Sequence, residues 1–185
     1  MARGGTGVTS LDALKSALGV GGGANGEGSS TTVGGSTTFA GYDWICVHDD
    51  GTYKYLMTKY VIGAVSFGIY GSTTAWAASQ AYLMCQIFAS FIGVTGNSKY
   101  GDITIENVVC KCFLPTYNQM NGGFSYFNSN DRRISRDVTG VAHMCWTSSL
   151  DNTGRPYCVD EYGNLAGHNF PSYAEGFRPC VALRK

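Results

Sequence analysis

The sequence predicts an α+β domain of twisted antiparallel strands, one long core helix and long irregular loops. Two β-type segments flank the turn sequence Asp49-Asp50-Gly51, which is typical of a hairpin. Residues 74–92 are mostly apolar and Gly93 follows them, as at the end of a helix. Short β-type segments then recur toward the carboxyl end. At 185 residues, the chain is long enough for one domain with a hydrophobic core.

The chain divides near residue 39, where its composition changes. Every aromatic residue and every cysteine lies from Phe39 onward, whereas residues 1–38 are rich in glycine. Such a segment cannot bury enough apolar surface to fold alone. We therefore expect a short helical segment at 1–19, a flexible Gly/Ser/Thr linker at 20–38 and a folded domain at 39–185.

The amino-terminal helix is predicted by a capping pattern and three leucines. Thr9-Ser10-Leu11-Asp12 is typical of a helix start, and Gly19 is typical of a stop. Leu11, Leu14 and Leu18 then lie on one helix face. A helix this short does not persist alone in water, so its leucines need a partner, either the domain or other copies of the chain. The alternative is a linker with transient helical structure.

The remaining elements follow from local patterns. Ser72-Thr73-Thr74 is expected to cap the long helix, which runs to about Ile92 and is apolar nearly all round, so we predict that it is buried. Cys110 and Cys112 share one face of a predicted strand that ends at Pro115. The other predicted strands span 42–48, 53–58, 144–148, 157–159, 165–168 and 177–183, and long loops span 115–142 and 149–176.

Composition argues against several kinds of partner. Charged residues make up 14% of the chain and the formal net charge is zero, so we expect no nucleic-acid partner and no charged membrane patch. Ser79, Gln80 and Gln86 interrupt the apolar run, which favours a buried helix over membrane insertion. No apolar run follows Met1, so we expect no secretory signal peptide.

The odd number of seven cysteines excludes a fully paired disulfide framework. Most of them lie within apolar runs, so we predict free, buried thiols and folding in a reducing cytoplasm. Cys110 and Cys112 are one residue apart, which is not a zinc-ligand spacing, and no C-x-x-C is present. We therefore predict no metal site.

Catalytic patterns are also missing from the sequence. His48, His143 and His168 lack a nearby nucleophile and acid at catalytic spacing, and Asp49-Asp50 and Asp160-Glu161 are typical of turns. We therefore predict no enzyme activity and no cofactor. A polysaccharide hydrolase needs two carboxylates on either side of a cleft, an arrangement that sequence spacing leaves open.

The segment 147–173 has the composition of a binding surface between two apolar segments. Tyrosine supplies large contact area at low entropy cost, and asparagine and serine supply adaptable hydrogen bonds. Trp146 and Phe177 are assigned to the core. The candidate ligand-binding residues are Thr147, Ser149, Asp151, Asn152, Arg155, Tyr157, Asp160, Tyr162, Asn164, His168, Asn169 and Tyr173. The alternative is that the tyrosines are ordinary sheet residues without a ligand.

Two stretches carry a resemblance to known families. The segment Gly4-Gly5-Thr6-Gly7, with Thr9-Ser10 and Ala17-Leu18-Gly19 after it, resembles a segment that recurs before the distal domain of bacteriophage tail-fibre proteins. Residues 40–185 resemble a domain of phage and bacterial surface proteins, and their closing strand is similar to that of the formylglycine-generating-enzyme branch of the C-type lectin fold. The residues that carry this are Trp44, Phe113-Leu114-Pro115-Thr116, Cys145-Trp146-Thr147-Ser148-Ser149 and Gly176-Phe177-Arg178-Pro179.

The resemblance implies a C-type-lectin-like fold and a receptor-binding domain at the tip of a phage tail fibre. Variable proteins of diversity-generating retroelements share this fold, and their hypermutated carboxyl-terminal segment binds diverse ligands. Residues 147–173 would be the displayed, hypervariable face. The catalytic cysteine pair of formylglycine-generating enzymes and the calcium motifs of sugar-binding lectins have no counterpart here. Enzyme activity and calcium-dependent sugar binding therefore do not carry over.

The expected partners are a bacterial cell-surface protein or glycan and further copies of the chain in a homotrimer, because tail fibres generally are trimers. The leucine helix would join the trimer axis. The protein would fold in the host cytoplasm and be carried on the virion. Two alternatives remain: a structural fibre cap without a ligand and, less favoured, a polysaccharide depolymerase.

Overall fold

The computed structural model describes residues 30–68, 75–167 and 170–185. It contains helix α1 at Gln80–Phe91, after a 3-10 turn at Trp76–Ala78, and a short helix α2 at Asn130–Arg133. The strands are β1 Ser36–Phe39, β2 Tyr42–Asp49, β3 Tyr53–Thr58, β4 Ala64–Ser66, β5 Ile103–Ile105, β6 Val108–Cys110, β7 Cys112–Phe113, β8 Ser135–Arg136, β9 Ala142–His143, β10 Cys145–Leu150, β11 Pro156–Val159, β12 Leu165–Gly167, β13 Ala174–Gly176 and β14 Cys180–Arg184. The predicted α+β class with mostly antiparallel strands is confirmed.

The first sheet has the strand order β1-β2-β3-β14-β7. The predicted hairpin forms its centre, and the Asp50 carboxylate closes the turn by accepting the amides of Thr52 at 2.8 Å and Tyr53 at 2.7 Å. The final strand β14 lies between β3 and β7, with Val181 opposite both Leu56 and Cys112. The end of the chain is therefore an interior strand of this sheet.

The second sheet has the order β12-β11-β10-β13-β4 and carries most of the predicted binding segment. Neighbouring strands are antiparallel except β10 and β13, which are parallel. Trp146 of β10 is 3% exposed and donates from Nε1 to the Val65 carbonyl at 2.7 Å. The indole thus ties the middle of the sheet to its edge strand β4, as expected of a core residue.

The domain begins earlier than the composition change suggested. Strand β1 pairs with β2 from Ser36, and Lys54 Nζ donates to the Thr31 carbonyl at 2.5 Å. Residues 30–38 therefore belong to the folded domain rather than to a linker. The predicted helix within 1–19 and the first part of the predicted linker lie outside the described residues.

Helix α1 begins later than predicted. Ser79 is its N-cap and accepts the Tyr82 amide at 2.9 Å, whereas the predicted cap at 72–74 lies outside the described residues. The helix ends as expected before Gly93, whose φ of +73° is in the left-handed region that glycine tolerates.

The prediction that this helix is buried all round is wrong. Cys85 and Phe88 face the core, but Leu83 and Ile87 are 58% and 53% exposed. The helix packs against β7 and β4 and leaves its opposite face open. No helix among the described residues is long and apolar enough to cross a membrane.

The prediction of free, buried thiols is confirmed, because all seven cysteines are free and buried. Burial raises the pKa of the Cys110 thiol to about 12 and that of Cys145 to about 11, so both remain protonated at neutral pH. The predicted single strand through Cys110 and Cys112 is wrong, since β6 pairs with β5 whereas β7 pairs with β14.

Candidate functional site

Three surface loops share one pattern, in which glycine follows aspartate by three residues. They span 137–141, 151–155 and 160–164. In each loop the aspartate carbonyl accepts the glycine amide, at 3.1, 3.0 and 3.0 Å, and the aspartate amide donates to the carbonyl of the fifth residue. The glycines have φ of +91°, +80° and +80°, as in three-residue hairpin loops that end in a left-handed residue.

The aspartate side chain completes each loop from inside. Asp151 Oδ1 accepts the Thr153 amide and hydroxyl at 2.8 and 2.7 Å and the Arg155 amide at 2.9 Å. Asp160 Oδ1 similarly accepts the amides of Tyr162 and Asn164 at 2.9 and 2.8 Å. These two candidate residues therefore maintain loop geometry.

The pKa of Asp160 reflects these bonds. Burial raises the pKa of this carboxyl, but the hydrogen bonds from Asn164, Tyr162 and Gly163 outweigh burial and lower the pKa below its ordinary value. Asp160 is thus held ionised, as an acceptor for its own loop.

The loop tips, by contrast, expose their side chains. Tyr162 is 69% exposed and Val138 is 79% exposed, and Asn152 is exposed at the tip of the second loop. Within the described chain these three side chains take no part in the hydrogen bonds that build the loops. Asn152 and Tyr162 are therefore available for contact with a partner.

Thr147 does not belong to the exposed surface. It is fully buried, and its Oγ1 donates to the Tyr157 carbonyl at 3.0 Å and accepts the Ser149 amide at 3.3 Å. It lies where the β10–β11 register shifts between Trp146 and Leu150. Thr147 therefore stabilises an irregular part of the sheet.

Ser149 and Tyr157 meet two residues that sequence reasoning missed. The ring centroids of Tyr157 and Tyr117 lie 4.5 Å apart. Ser149 Oγ accepts the Tyr117 amide at 3.0 Å and donates to Glu106 Oε1 at 2.6 Å. Glu106 and Tyr117 lie in other segments of the chain, and no local pattern links them to β10.

Arg155 and Tyr173 are joined through a third missed residue, Phe170. The Arg155 guanidinium carbon lies 5.7 Å from the centroid of the Phe170 ring. The centroids of the Phe170 and Tyr173 rings are 5.6 Å apart, in a T-shaped arrangement. Phe170 and Tyr173 are 40% and 50% exposed. Arg155 directly precedes β11, the strand that carries Tyr157. We call the combined area the β11 surface: Glu106, Tyr117, Ser149, Arg155, Tyr157, Phe170 and Tyr173.

The third loop forms a separate exposed area. Asn164 accepts from Asn130 Nδ2 at 2.7 Å, and Arg133 Nε donates to the Gly163 carbonyl at 2.8 Å. This loop joins β11 to β12, at the opposite end of β11 from the loop at 151–155. Of the candidate residues, Ser149, Arg155, Tyr157 and Tyr173 belong to the β11 surface, whereas Asp160, Tyr162 and Asn164 belong to this loop, 160–164, which we call the Tyr162 loop. His168 and Asn169 lie outside the described residues.

A recess of about 280 Å³ is lined by three titratable side chains, Asp137, His143 and Glu175. Asp137 Oδ2 lies 2.9 Å from His143 Nε2, while its Oδ1 accepts from Thr139 and Val141. The hydrogen bonds from Thr139 and His143 hold the pKa of Asp137 well below its usual range. Both oxygens are occupied, so Asp137 can orient His143.

The pKa of Glu175, the second acid of the recess, is shifted in the opposite direction. Burial, with a smaller effect from Glu161, raises the pKa of Glu175. Within residues 30–68, 75–167 and 170–185, no group of three or more His, Cys, Asp or Glu is arranged to hold a metal ion.

Comparison of the chain with protein-family models, with curated proteins and with solved structures finds no significant match.

Proposed function

We propose that this chain is the receptor-binding domain at the tip of a phage tail fibre, and that it recognises a bacterial surface protein or glycan through the β11 surface and the Tyr162 loop. The observation that carries the proposal is the exposed cluster of Arg155, Phe170 and Tyr173. Arginine and aromatic side chains dominate binding energy at protein interfaces, and tyrosine is prominent in adaptable binding surfaces.

The loop and the strand that carry this surface favour recognition, because hydrogen bonds hold their backbone in place. Arg155 ends a loop that Asp151 fixes by three hydrogen bonds, and Tyr157 lies on strand β11 between β10 and β12. Side chains on such a framework lose little conformational freedom on binding. A ligand therefore meets a surface that is already in place.

The proposed fold is C-type-lectin-like, with a fixed frame of strands and a displayed face for binding. The closing Gly176–Pro179 segment supports this division, because Phe177 and Arg178 are 4% and 6% exposed. Asn152 and Tyr162, in contrast, lie on loops that other residues build. Hypervariability of the displayed face predicts a reverse transcriptase gene and a near-copy of the segment, differing at adenines, beside the gene; their absence refutes this part of the proposal.

The proposed assembly is a homotrimer whose axis includes Leu11, Leu14 and Leu18. Three sites on one fibre raise the overall strength of attachment through avidity, without requiring a tight single site. Light scattering on the full chain should give three times the mass of one 19.7 kDa chain. A monomeric mass would exclude the trimer.

Binding of fluorescently labelled full chain to a panel of bacterial strains tests recognition. We expect saturable binding to some strains, competed by unlabelled protein and lost in Arg155→Ala/Tyr173→Ala. Val109→Ala is the matched control, because Val109 is 63% exposed but lies on β6. Circular dichroism should show that all variants fold. Unchanged binding by the double variant would refute the surface assignment.

The same measurements separate the alternatives. A structural cap predicts that the parent protein binds none of the strains. A depolymerase predicts release of reducing sugar from purified cell-surface polysaccharide.

A further inference from the structure

The outward face of α1 is an exposed apolar stripe. Leu83, Met84, Ile87 and Phe91 are 58%, 38%, 53% and 43% exposed. Leu83, Ile87 and Phe91 are each four residues apart and Met84 is three residues before Ile87, so all four lie along one side of the helix. A helix that is apolar on both sides needs cover on both sides, and the domain covers only the side of Cys85 and Phe88.

The stripe has no charge within it or close to it in the sequence. No Asp, Glu, Lys or Arg occurs between Lys59 and Lys99. A face without charge brings no like charges together when two copies meet, so it lacks the main barrier to self-association.

A recess adjoins the stripe on the same surface. It has a volume of about 220 Å³, and its lining includes Tyr42, Ile62, Met84 and Phe88. A second recess of about 350 Å³ continues from Tyr42 and Ile62 to Val138. Protruding side chains and a hollow that can receive them thus lie side by side, so the stripe of one copy can fill the hollow of the next copy in a closed ring.

The far end of this surface adds complementary charges. Asp43 lines the second recess, and Lys59 lies 5.4 Å from the ring of Tyr60, which also lines it. Neither forms an ion pair within the described chain. One acid and one base on the same face can pair between neighbouring copies.

We propose that the outward face of α1, with the recess beside it, is the surface through which copies of this chain associate, α1 against the α1 of a neighbouring copy. The inference deepens the self-association in the proposed function and rests on that part of it. The proposed interface does not depend on whether the domain recognises bacteria.

Cysteine cross-linking gives a direct test. All seven natural cysteines are buried, so Ile87→Cys introduces an exposed thiol on a background of buried ones. We expect copper–phenanthroline to convert this variant of the full chain to a disulfide-linked dimer of two 19.7 kDa chains, reversed by dithiothreitol. Val109→Cys is the matched control and should remain monomeric on a denaturing gel. Equal cross-linking of both variants would overturn the proposal.

Mass measurement gives the second test. By analytical ultracentrifugation, Ile87→Glu should weaken self-association about a hundredfold or more, because it places like charges across the interface. Val109→Glu should keep the parent's mass. A parent that is monomeric at tens of micromolar, or an Ile87→Glu variant of unchanged mass, would overturn the inference.

A third variant separates this inference from the proposed function. If Leu14→Glu lowers the mass and Ile87→Glu does not, the copies associate through the amino-terminal leucines alone. That outcome refutes the α1 interface and leaves the proposed trimer intact. Loss of cell binding in Arg155→Ala/Tyr173→Ala with unchanged mass would support recognition independently of either interface.

Discussion

Arg178 donates from Nη1 to Ser135 Oγ at 3.0 Å, which ties the segment before β14 to β8 inside the protein. The same guanidinium donates from Nε to the Thr58 carbonyl at 3.0 Å, at the end of β3. Arg178 is 6% exposed. One buried side chain thus connects three parts of the frame that are distant in the sequence.

Arg178→Met should lower the free energy of unfolding by about 2–4 kcal/mol, because the Thr58 carbonyl and the Ser135 hydroxyl lose their charged donor. Urea denaturation followed by tryptophan fluorescence measures the effect. Arg184→Met is the control, since Arg184 is exposed and contacts the Tyr53 ring, and it should cost at most about 1 kcal/mol. Equal stability of the two variants would contradict this role for Arg178.

The thiols should be inert in the folded protein. All seven are buried, and burial also raises the pKa of Cys85 and Cys180. The thiolate is the reactive form, so neither access nor ionisation favours attack. We expect Ellman's reagent to detect almost no thiol in the native protein at pH 8 and seven per chain in guanidinium. Rapid labelling of one or more native thiols would show that the core opens.

Two glycines on similar loops should differ in their tolerance of a side chain. Gly140 has φ of +91° and open space around it, so Gly140→Ala should cost only the backbone strain of about 1 kcal/mol. At Gly163 an added methyl group would collide with the Asn130 carbonyl. Gly163→Ala should therefore cost about 2 kcal/mol more, by urea denaturation. A reversed order would contradict the described contact between the third loop and α2.

The free energy of unfolding should decrease as the pH is lowered below about 4. Hydrogen bonds lower the pKa of Asp50, Asp137 and Asp160, so in acid the unfolded chain binds more protons than the folded chain. The free energy of unfolding then rises with pH. This contribution is complete above the ordinary carboxyl pKa of about 4 and is lost as the pH falls through the lower folded values.

Urea denaturation between pH 6 and pH 2 should therefore show a plateau above about pH 5 and a decline below about pH 4. Asp160→Asn keeps an oxygen acceptor but removes the titrating group, so its decline should be shallower. An identical slope in this variant would show that Asp160 does not contribute.

The parts of the fold that sequence predicted are those with local causes. The β2–β3 hairpin follows from a turn sequence between two β-type segments. The position of β14 could not be predicted, because its pairs with Leu56 and Cys112 join residues far apart in the chain. The exposure of α1 was missed for another reason: apolar residues all round a helix do not say which face the domain covers.

The same distinction applies to the candidate site. Tyr162 and Arg155 were identified from the composition of one segment. Tyr117 and Phe170 were missed, because their roles arise from ring contacts with Tyr157 and Arg155 rather than from a motif. Thr147 was assigned to the surface since composition cannot locate an irregularity in strand pairing.

The repeated loops have a practical consequence for protein engineering. Each loop is closed by one aspartate and one glycine, and the side chains at 138, 152 and 162 do not participate. Positions 152 and 162 can be randomised together in a display library while the sequence around them is kept, and Val138 is left unchanged because it lines a recess of the proposed self-association surface. Selection for new ligands would then act on the side chains at the loop tips, and few members of the library would misfold.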